Sequence, residues 1–406
     1  MFYLKQIKAW VILLCISVVK LPLHFLYFLS GFYPRNKNIW IFGSWNGKYF
    51  RGNSKYLFSY ILEKYPDIEI IWLTKDEDLY NNLKREYKNV YRAYSLTGFI
   101  YTLRARYFFV THGILDINEY ASRKGILINM SHSIYPIKDM NLYFEKWPLK
   151  QKIKALLSIP YGVLIKPDIA LTSSEHTAIA TAHHYNIKDF SKIKITGVPK
   201  TDFLISSINK PLNISNFNEN KRYFDEDKKR ILFLPTWRKD HNFSLFRFGF
   251  NAGKLSNTLI QFNGVIGFNY HPSTIKYENN TDLNTYNNIV AFNYSGDQIN
   301  QLLSRVDLLI TDYSALFADF LIYDKPIIFA KFDHSAYIKS RGLFLDYDSL
   351  PGAKAETWPE ILVHIKNIFV DREDEYLVKR KNMRNLIYQN ADGNACERIV
   401  QEVMNL

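Results

Sequence analysis

Short apolar runs recur along the chain, and most are followed by a polar loop and then by apolar residues at helical spacing. After the run Leu308–Ile310, for example, Leu316, Phe317, Phe320 and Leu321 recur along one helical face. Runs of this kind predict buried parallel strands, which we place at residues 39–42, 68–73, 106–111, 125–129, 168–171, 193–195, 231–234, 265–269, 308–310 and 327–330. Strands that alternate with helices predict an α/β fold with parallel sheets.

The chain is long enough for two domains with separate hydrophobic cores, because it has 406 residues. We predict a Rossmann-like N-terminal domain at residues 39–205 and a second Rossmann-like domain at residues 231–370. Residues 206–230 are polar and rich in Asn and Lys, which is typical of an interdomain linker. Residues 371–406 are predicted to form C-terminal helices.

Residues 1–38 contain five basic residues, no acidic one and two apolar runs that flank Lys20. A charge at the centre of a transmembrane helix costs about 3 kcal/mol, and Pro22 interrupts the second run. These features favour a membrane-associating segment that lies at the interface or re-enters it, rather than one that spans the bilayer. A core helix of the first domain remains the alternative, whereas a cleaved signal peptide lacks a small-residue cleavage site.

The net charge of +13 suits an anionic membrane surface, a phosphate-rich substrate or a nucleic acid. We predict no nucleic-acid partner, because the chain contains no nucleic-acid-binding motif and no stripe of basic and aromatic residues. Two cysteines provide neither a disulfide framework nor a cysteine zinc site, which suits a reducing cytoplasm. A basic amphipathic helix predicted at residues 146–166 is either a solvated face or a second membrane contact.

Polar motifs follow several of the predicted strands. They are Gly197-Val-Pro-Lys-Thr-Asp202, Pro235-Thr-Trp-Arg238, His271-Pro272 and Thr311-Asp-Tyr-Ser314. Ligands of open α/β sheets bind beyond the carboxyl ends of strands, and a helix that begins near Ser314 would offer amides to a phosphate. Asp312 or Ser314 would also serve as an ordinary helix cap. The acidic pair Asp76 and Asp78 is predicted to begin a helix rather than to hold a metal ion.

These motifs, in this order, resemble the CDP-glycerol glycerophosphotransferases, a family that includes teichoic-acid primases and polymerases and some capsule polymerases. The resemblance covers roughly residues 39–365. It implies a GT-B-like fold, in which two Rossmann-type parallel-sheet domains face a central cleft, one for the acceptor and one for the CDP-linked donor. The C-terminal helices would pack back toward the first domain. The implied reaction moves a polyol phosphate from a CDP-alcohol to a hydroxyl group.

The resemblance also implies roles for individual residues, with neither a metal nor a cofactor. His132 would be the general base, although Ser131 and Ser133 stand where the family has Trp and Gly, and His112 is the next candidate. His271, the second predicted catalytic residue, would face the pyrophosphate or the leaving phosphate. The predicted substrate-binding residues are Lys200, Asp202, Thr236, Arg238, Thr311, Asp312, Ser314 and Asp319.

The expected partners are CDP-glycerol or a related CDP-polyol donor, a membrane-linked glycan or polyol-phosphate acceptor, and an anionic membrane surface. The enzyme would then lie on the cytoplasmic face of the cell membrane as a peripheral or monotopic protein. The sequence leaves open glycerol or ribitol, primase or polymerase, and teichoic acid or capsule. Two other hypotheses also remain: a GT-B glycosyltransferase that uses a nucleotide sugar, and a basic binding protein without catalysis.

Overall fold

The structure is a computed structural model that describes residues 21–135, 166–208, 217, 223–225, 227–236, 248–269, 285–294 and 296–406. By their internal contacts these residues divide into two units. The first unit comprises the described residues of 21–132, 166–202 and 394–406, and the second comprises residues 133–135 and the described part of 203–393.

The described strands of the first unit form one parallel sheet in the order β3-β2-β1-β4-β5-β6-β7. They are β1 Asn36–Phe42, β2 Glu69–Thr74, β3 Val90–Arg92, β4 Ala105–Val110, β5 Ile126–Asn129, β6 Ile169–Thr172 and β7 Ile193–Ile195. The order reverses between β1 and β4, which pair with Phe42 opposite Phe109. At such a reversal the connections leave toward opposite faces of the sheet, so the loops after β1 and β4 border a crevice.

The described strands of the second unit form another parallel sheet, in the order β10-β9-β8-β11-β12-β13. They are β8 Lys229–Leu234, β9 Gly264–Asn269, β10 Ile289–Phe292, β11 Leu308–Thr311, β12 Ile327–Ala330 and β13 Ala353–Ala355. Here the order reverses between β8 and β11, which pair with Leu234 opposite Thr311. The six strands of the second sheet therefore follow the same order as the first six of the first sheet, and each sheet has one reversal point.

Helices connect the strands in both units. They are α1 Leu21–Ser30, α2 Gly52–Lys64, α3 Glu77–Glu86, α4 Leu96–Arg104, α5 Glu175–Tyr185, α6 Pro199–Ile208, α7 Ala252–Ile260, α8 Asp297–Leu303, α9 Leu316–Phe320, α10 His334–Arg341, α11 Trp358–Lys366, α12 Leu377–Ile387 and α13 Ala395–Met404. The carboxylate of Asp76 accepts a hydrogen bond of 2.8 Å from the Leu79 amide at the start of α3, as expected for a helix cap. The final helix, α13, belongs to the first unit, where Ile399 and Val400 lie in the core of its sheet.

Both faces of each sheet are buried, which explains the continuous apolar runs in the sequence. On one face of the first sheet Trp40, Phe42, Phe58, Trp72 and Phe109 pack as an aromatic cluster. In the second unit Trp358 packs against Phe233, Phe250 and Phe268. Full burial of one such side chain contributes about 1.5–3 kcal/mol, so these clusters carry much of the stability of each unit.

The α/β fold with two parallel sheets confirms the sequence prediction, and each predicted strand is found with its ends within three residues. Three strands were missed, namely β3, β10 and β13. They lie at the sheet edges or beside them, and they have only three or four residues with partly exposed positions. Such short segments give little periodic signal.

The predicted membrane-associating segment is described only from residue 21, and its predicted end at residue 38 falls inside β1. Among the described residues, no helix is both long enough and apolar enough to span a bilayer. Arg35 is one of the five basic residues of this segment, and it is part of the fold. Its guanidinium donates to the backbone carbonyls of Ser30, Thr102 and Ala121. Burial lowers the pKa of Arg35 to about 10, and the positive charge of Arg106 adds to the effect. These carbonyls hold the Arg35 guanidinium within the fold.

Two predicted elements fall largely outside the described residues. The basic helix at residues 146–166 is described only at Lys166, and the linker at 206–230 only in short pieces. His271 and Arg238, predicted at the ends of strands in the second domain, also lie outside the described residues.

Candidate active site

In the first unit a buried carboxylate joins the two loops at the reversal point. Asp116 lies in the loop after β4 and is 0% exposed. Its Oδ1 accepts a hydrogen bond of 2.6 Å from the amide of Asn46, in the loop after β1. Its Oδ2 accepts from the amides of Thr111 and His112, at 2.7 Å and 2.9 Å. Three amide donors compensate the buried charge, so Asp116 fixes both loops in one arrangement.

Two histidine rings stack beside this carboxylate. His112 follows β4 directly, and His132 follows β5. Their ring centroids are 4.5 Å apart, and the ring planes differ by 13°. The indole of Trp45, from the loop after β1, packs against both, at 4.6 Å from His112 and 6.0 Å from His132. The predicted base is therefore held in an aromatic cluster formed by three different loops.

The turn that presents His132 is held by two amide side chains. The side chain of Asn53, near the start of α2, donates to the carbonyls of Met130 and Ser131, at 2.9 Å and 2.8 Å. Asn129 accepts a bond of 2.8 Å from the Ser131 amide through its side-chain oxygen. These bonds stabilise Ser131 in a left-handed conformation with φ of 55°. His132 therefore leaves the strand at a fixed angle.

Burial lowers the pKa of His112, and the charge of Arg51 lowers it further, while the nearby carboxylate of Asp116 raises it. The net direction keeps the His112 ring neutral at neutral pH. A neutral ring is the better neighbour for a general base, because two charged imidazoles in a stack would repel each other. Thr111 contributes a contact of 3.1 Å between its hydroxyl and Nδ1 of His112.

The loop after β1 is bent sharply where it reaches the histidines. Trp45, Asn46 and Gly47 all have left-handed backbones, with φ of 51°, 55° and 75°. A left-handed conformation costs about 1–3 kcal/mol for a residue other than glycine, and such strain is characteristic of functional sites. The Gly47 carbonyl accepts bonds from the amide of Lys75 at 2.7 Å and the hydroxyl of Thr74 at 2.8 Å. These bonds offset the strain and keep the loop in place.

At the reversal point of the second sheet, a second buried aspartate has a similar position. Asp312 follows β11 and is 2% exposed. Its Oδ1 accepts hydrogen bonds from the amide and the hydroxyl of Thr236, at 2.8 Å and 2.6 Å. The hydroxyl of Thr311 donates to the Leu234 carbonyl at 2.8 Å. Three predicted substrate-binding residues, Thr236, Thr311 and Asp312, therefore join the loops after β8 and β11.

The loop after β11 rests on a stack of tyrosines. Tyr313 is fully buried, and its ring lies 3.8 Å from that of Tyr337. The hydroxyl of Tyr347 donates to the Asp312 carbonyl at 3.1 Å. Ser314 follows, and its hydroxyl oxygen accepts a bond of 3.3 Å from the Leu316 amide at the start of α9. The helix predicted near Ser314 thus begins two residues later, with Ser314 as a local cap.

The remaining predicted substrate-binding residues of the described chain lie in helices α6 and α9. Lys200 is buried, and its backbone amide donates to the side chain of Asn53 at 2.8 Å. The carboxylate of Asp202 accepts from the amides of Ala395 and Cys396, at 2.9 Å and 2.7 Å, so it caps α13. Asp319 is buried within α9.

From the sequence, His112 was expected only as a substitute for His132. Four residues of this site were not predicted, namely Asp116, Trp45, Arg51 and Asn53. No motif marks them in the sequence. The available signal was the strand order, since all but Asn53 lie in loops that leave β1 and β4 at the reversal point. A sequence prediction of that order would have directed attention to both loops.

Comparison with known proteins identifies the family. The model for "CDP-Glycerol:Poly(glycerophosphate) glycerophosphotransferase" matches residues 25–405. A teichoic acid poly(glycerol phosphate) polymerase of Bacillus spizizenii is 26% identical over 397 residues, which cover 93% of this chain and 94% of the relative. A teichoic acid poly(ribitol-phosphate) polymerase of the same organism is 28% identical over 246 residues, or 58% of this chain, and the match spans only 37% of that longer protein.

A solved structure of a variant of the wall teichoic acid polymerase TagF has the same fold, with a TM-score of 0.71, 19% identity and coverage of 99% of this chain and 97% of that one. The match of the family model to nearly the whole chain confirms the resemblance drawn from the four motifs. It also confirms the prediction that the chain is a phosphotransferase. The chain belongs to the CDP-glycerol:poly(glycerophosphate) glycerophosphotransferase family.

Proposed function

We propose that this enzyme transfers a polyol phosphate from CDP-glycerol or CDP-ribitol to a hydroxyl group of a membrane-linked acceptor, in the synthesis of a teichoic-acid-like or capsular polymer. The observation that carries the proposal is the position of His132, which stacks on the ring of His112 at the reversal point of the first sheet. The relatives include a poly(glycerol phosphate) and a poly(ribitol-phosphate) polymerase, which supports both polyols as donors.

In the proposed mechanism, His132 takes the proton from the acceptor hydroxyl while the oxygen attacks the phosphorus that bears the polyol. The new bond joins the acceptor oxygen to that phosphorus, and the bond from phosphorus to the CMP oxygen breaks. CMP leaves with the electron pair. The chain's contribution is to orient the base, bind the two phosphates and stabilise the charge on the leaving group.

The donor is proposed to bind at the reversal point of the second sheet. Asp312 and Thr236 are bonded to each other, so their proposed role is to set the loops that surround the phosphates. Ser314 is half-buried and follows them directly, which suits its hydroxyl to a phosphate oxygen. His271 and Arg238 belong to this proposal through the family motifs. The carboxylate of Asp202 is left out, because the amides of α13 already occupy it.

A membrane surface is the proposed location of the acceptor, with the enzyme attached from the cytoplasmic face. Helix α1 and the turn after it expose large apolar side chains, including Phe25 at 60% and Phe32 at 71%. Two cations lie against this apolar surface: the guanidinium of Arg123 is 4.6 Å from the Phe28 ring, and the ammonium of Lys124 is 5.8 Å from the Phe32 ring. Apolar insertion beside basic groups favours anionic membranes. Replacement of Phe25 and Phe32 by Ser should release the protein from anionic vesicles, and unchanged vesicle binding would refute this attachment.

The test of the reaction is a donor panel of CDP-glycerol, CDP-ribitol and UDP-linked sugars, offered to the purified full chain with a polyol-phosphate acceptor. We expect CMP release that depends on a CDP-polyol, together with acceptor extension. The matched control is His132→Gln, which retains a polar side chain but has no ring nitrogen to take up a proton. Turnover of UDP-sugars without CDP-polyol turnover would overturn the proposal.

A further inference from the structure

We propose that Arg51 binds a phosphate group of the acceptor, close to the hydroxyl that His132 deprotonates. This inference rests on the proposed function and specifies the acceptor as one that already carries a phosphodiester. It would make the enzyme an extender of polyol-phosphate chains rather than one that begins them on an uncharged glycan.

Two aromatic rings hold the Arg51 guanidinium. Its central carbon lies 3.8 Å from the Trp45 ring centroid and 4.0 Å from that of Tyr49. The two rings are nearly perpendicular, at 89°, with centroids 6.2 Å apart. These contacts hold the guanidinium in place, and its N–H donors lie along the edge of the planar group. The edge is what binds phosphate oxygens in a bidentate manner.

Arg51 also lies near the histidine pair, because the two share a neighbour. The Trp45 ring that packs against Arg51 also packs against His112 and His132. Trp45 lies in the left-handed stretch that the buried carboxylate of Asp116 fixes through the Asn46 amide. The loop that Asp116 fixes therefore places the Arg51 guanidinium next to the histidine pair.

The third step is electrostatic. The positive charge of Arg51 lowers the pKa of His112, the ring on which His132 stacks, while the buried Asp116 carboxylate acts in the opposite sense. A cation beside a general base opposes the proton uptake that the base must perform. An anionic group of the substrate that pairs with Arg51 removes this penalty on binding. A phosphodiester next to the reacting hydroxyl provides that anion, and it ties base strength to the presence of the correct acceptor.

A phosphate at Arg51 has two possible sources, the acceptor's phosphodiester or the donor's pyrophosphate. We assign it to the acceptor, because Arg51 and His132 belong to the same unit and the base must meet the acceptor hydroxyl. The experiment distinguishes the sources with two short lipid-linked acceptors that end in the same glycerol. One carries a glycerol phosphodiester, and in the other a neutral ether replaces the phosphodiester.

In Arg51→Gln we expect KM for the phosphodiester acceptor to rise about 10- to 100-fold, the loss typical of one charge-assisted phosphate contact. The KM values for the ether acceptor and for CDP-glycerol should stay within about twofold. Arg51→Lys should recover part of the loss. Lys48→Gln is the matched control, because Lys48 is an exposed cation of the same loop and its removal should leave all three KM values unchanged.

Equal losses on both acceptors would show that Arg51 only supports the fold, and a rise confined to the CDP-glycerol KM would assign it to the donor. Either result overturns the inference. Direct binding of the phosphodiester lipid, measured without donor, tests the phosphate site separately from the proposed function. If the wild type binds this lipid more tightly than Arg51→Gln but turns over no CDP-polyol, the proposed reaction fails while the phosphate site stands. Equal binding by both refutes the site.

Discussion

The reversal points of the two sheets use the same device in different surroundings. In the first unit Asp116, in the loop after β4, accepts from the Asn46 amide in the loop after β1. In the second unit Asp312, in the loop after β11, accepts from the Thr236 amide in the loop after β8. Both carboxylates are buried, and each joins the loops after two neighbouring strands, β1 and β4 or β8 and β11. A buried aspartate thus fixes the two loops at each reversal point.

The surroundings of the two carboxylates differ. The loops that Asp116 joins carry an indole, a guanidinium and the His112 imidazole on which His132 stacks, whereas Asp312 accepts from the Thr236 hydroxyl and its loop is supported by stacked tyrosines. Imidazoles transfer protons near neutral pH, while hydroxyls and amides bind phosphate oxygens without a change of charge. We therefore propose that one scaffold, used twice, separates proton transfer from phosphate binding.

Loss of the base should have the largest effect and would test this division directly. We expect His132→Ala to slow transfer about 10²- to 10⁴-fold, because no group then accepts the acceptor proton. CDP-glycerol affinity and melting temperature should change little, since the donor is proposed to bind in the second unit. A parallel fall in donor affinity and stability would mean that His132 is a packing residue, and the contrast between the two reversal points would not hold.

The two aspartates can be compared through one isosteric change in each unit. Asp116→Asn and Asp312→Asn each remove a charge and one acceptor oxygen from a buried site, so each should lower stability by about 1–3 kcal/mol. Asp116→Asn should reduce kcat about 10-fold or more with the CDP-glycerol KM unchanged, because the base is misplaced. Asp312→Asn should raise the CDP-glycerol KM instead. Denaturant unfolding and steady-state kinetics on both variants measure these effects, and identical kinetic profiles would abolish the proposed separation.

Much of the fold was predictable because long buried strands carry a clear apolar pattern. Strand β9 is buried along its whole length and β1 over its last four residues, and the sequence shows this as continuous apolar runs. The short strand Val90–Arg92 was missed because only one of its three residues is buried. The family was identifiable from four loops whose residues are close together in sequence.

The organisation of the site was less predictable, because its contacts join distant parts of the chain. Nothing local to Trp45 indicates that it packs on His112, since that contact depends on β1 lying beside β4. Asp202 was predicted to bind substrate from its motif, but the helix that its carboxylate caps comes at the end of the chain. Local patterns therefore identified residues with useful chemistry, whereas the strand order decides which of them meet.

The smallest expected effect concerns the ring that stacks on the base. His112→Phe keeps an aromatic neighbour for His132 and removes a titratable group, so kcat at neutral pH should fall less than about fivefold. Burial lowers the pKa of His112 from the ordinary value of 6.5, so the unfolded chain takes up this proton at a higher pH than the folded chain. The wild type should therefore lose stability as pH falls through about 6.5, and the variant should lose less. Melting temperatures between pH 8 and pH 5 measure the difference, with His183→Phe as a control histidine on α5. Equal pH dependence in the wild type and His112→Phe would mean that His112 is not held neutral, and the charge argument for the stacked pair would fail.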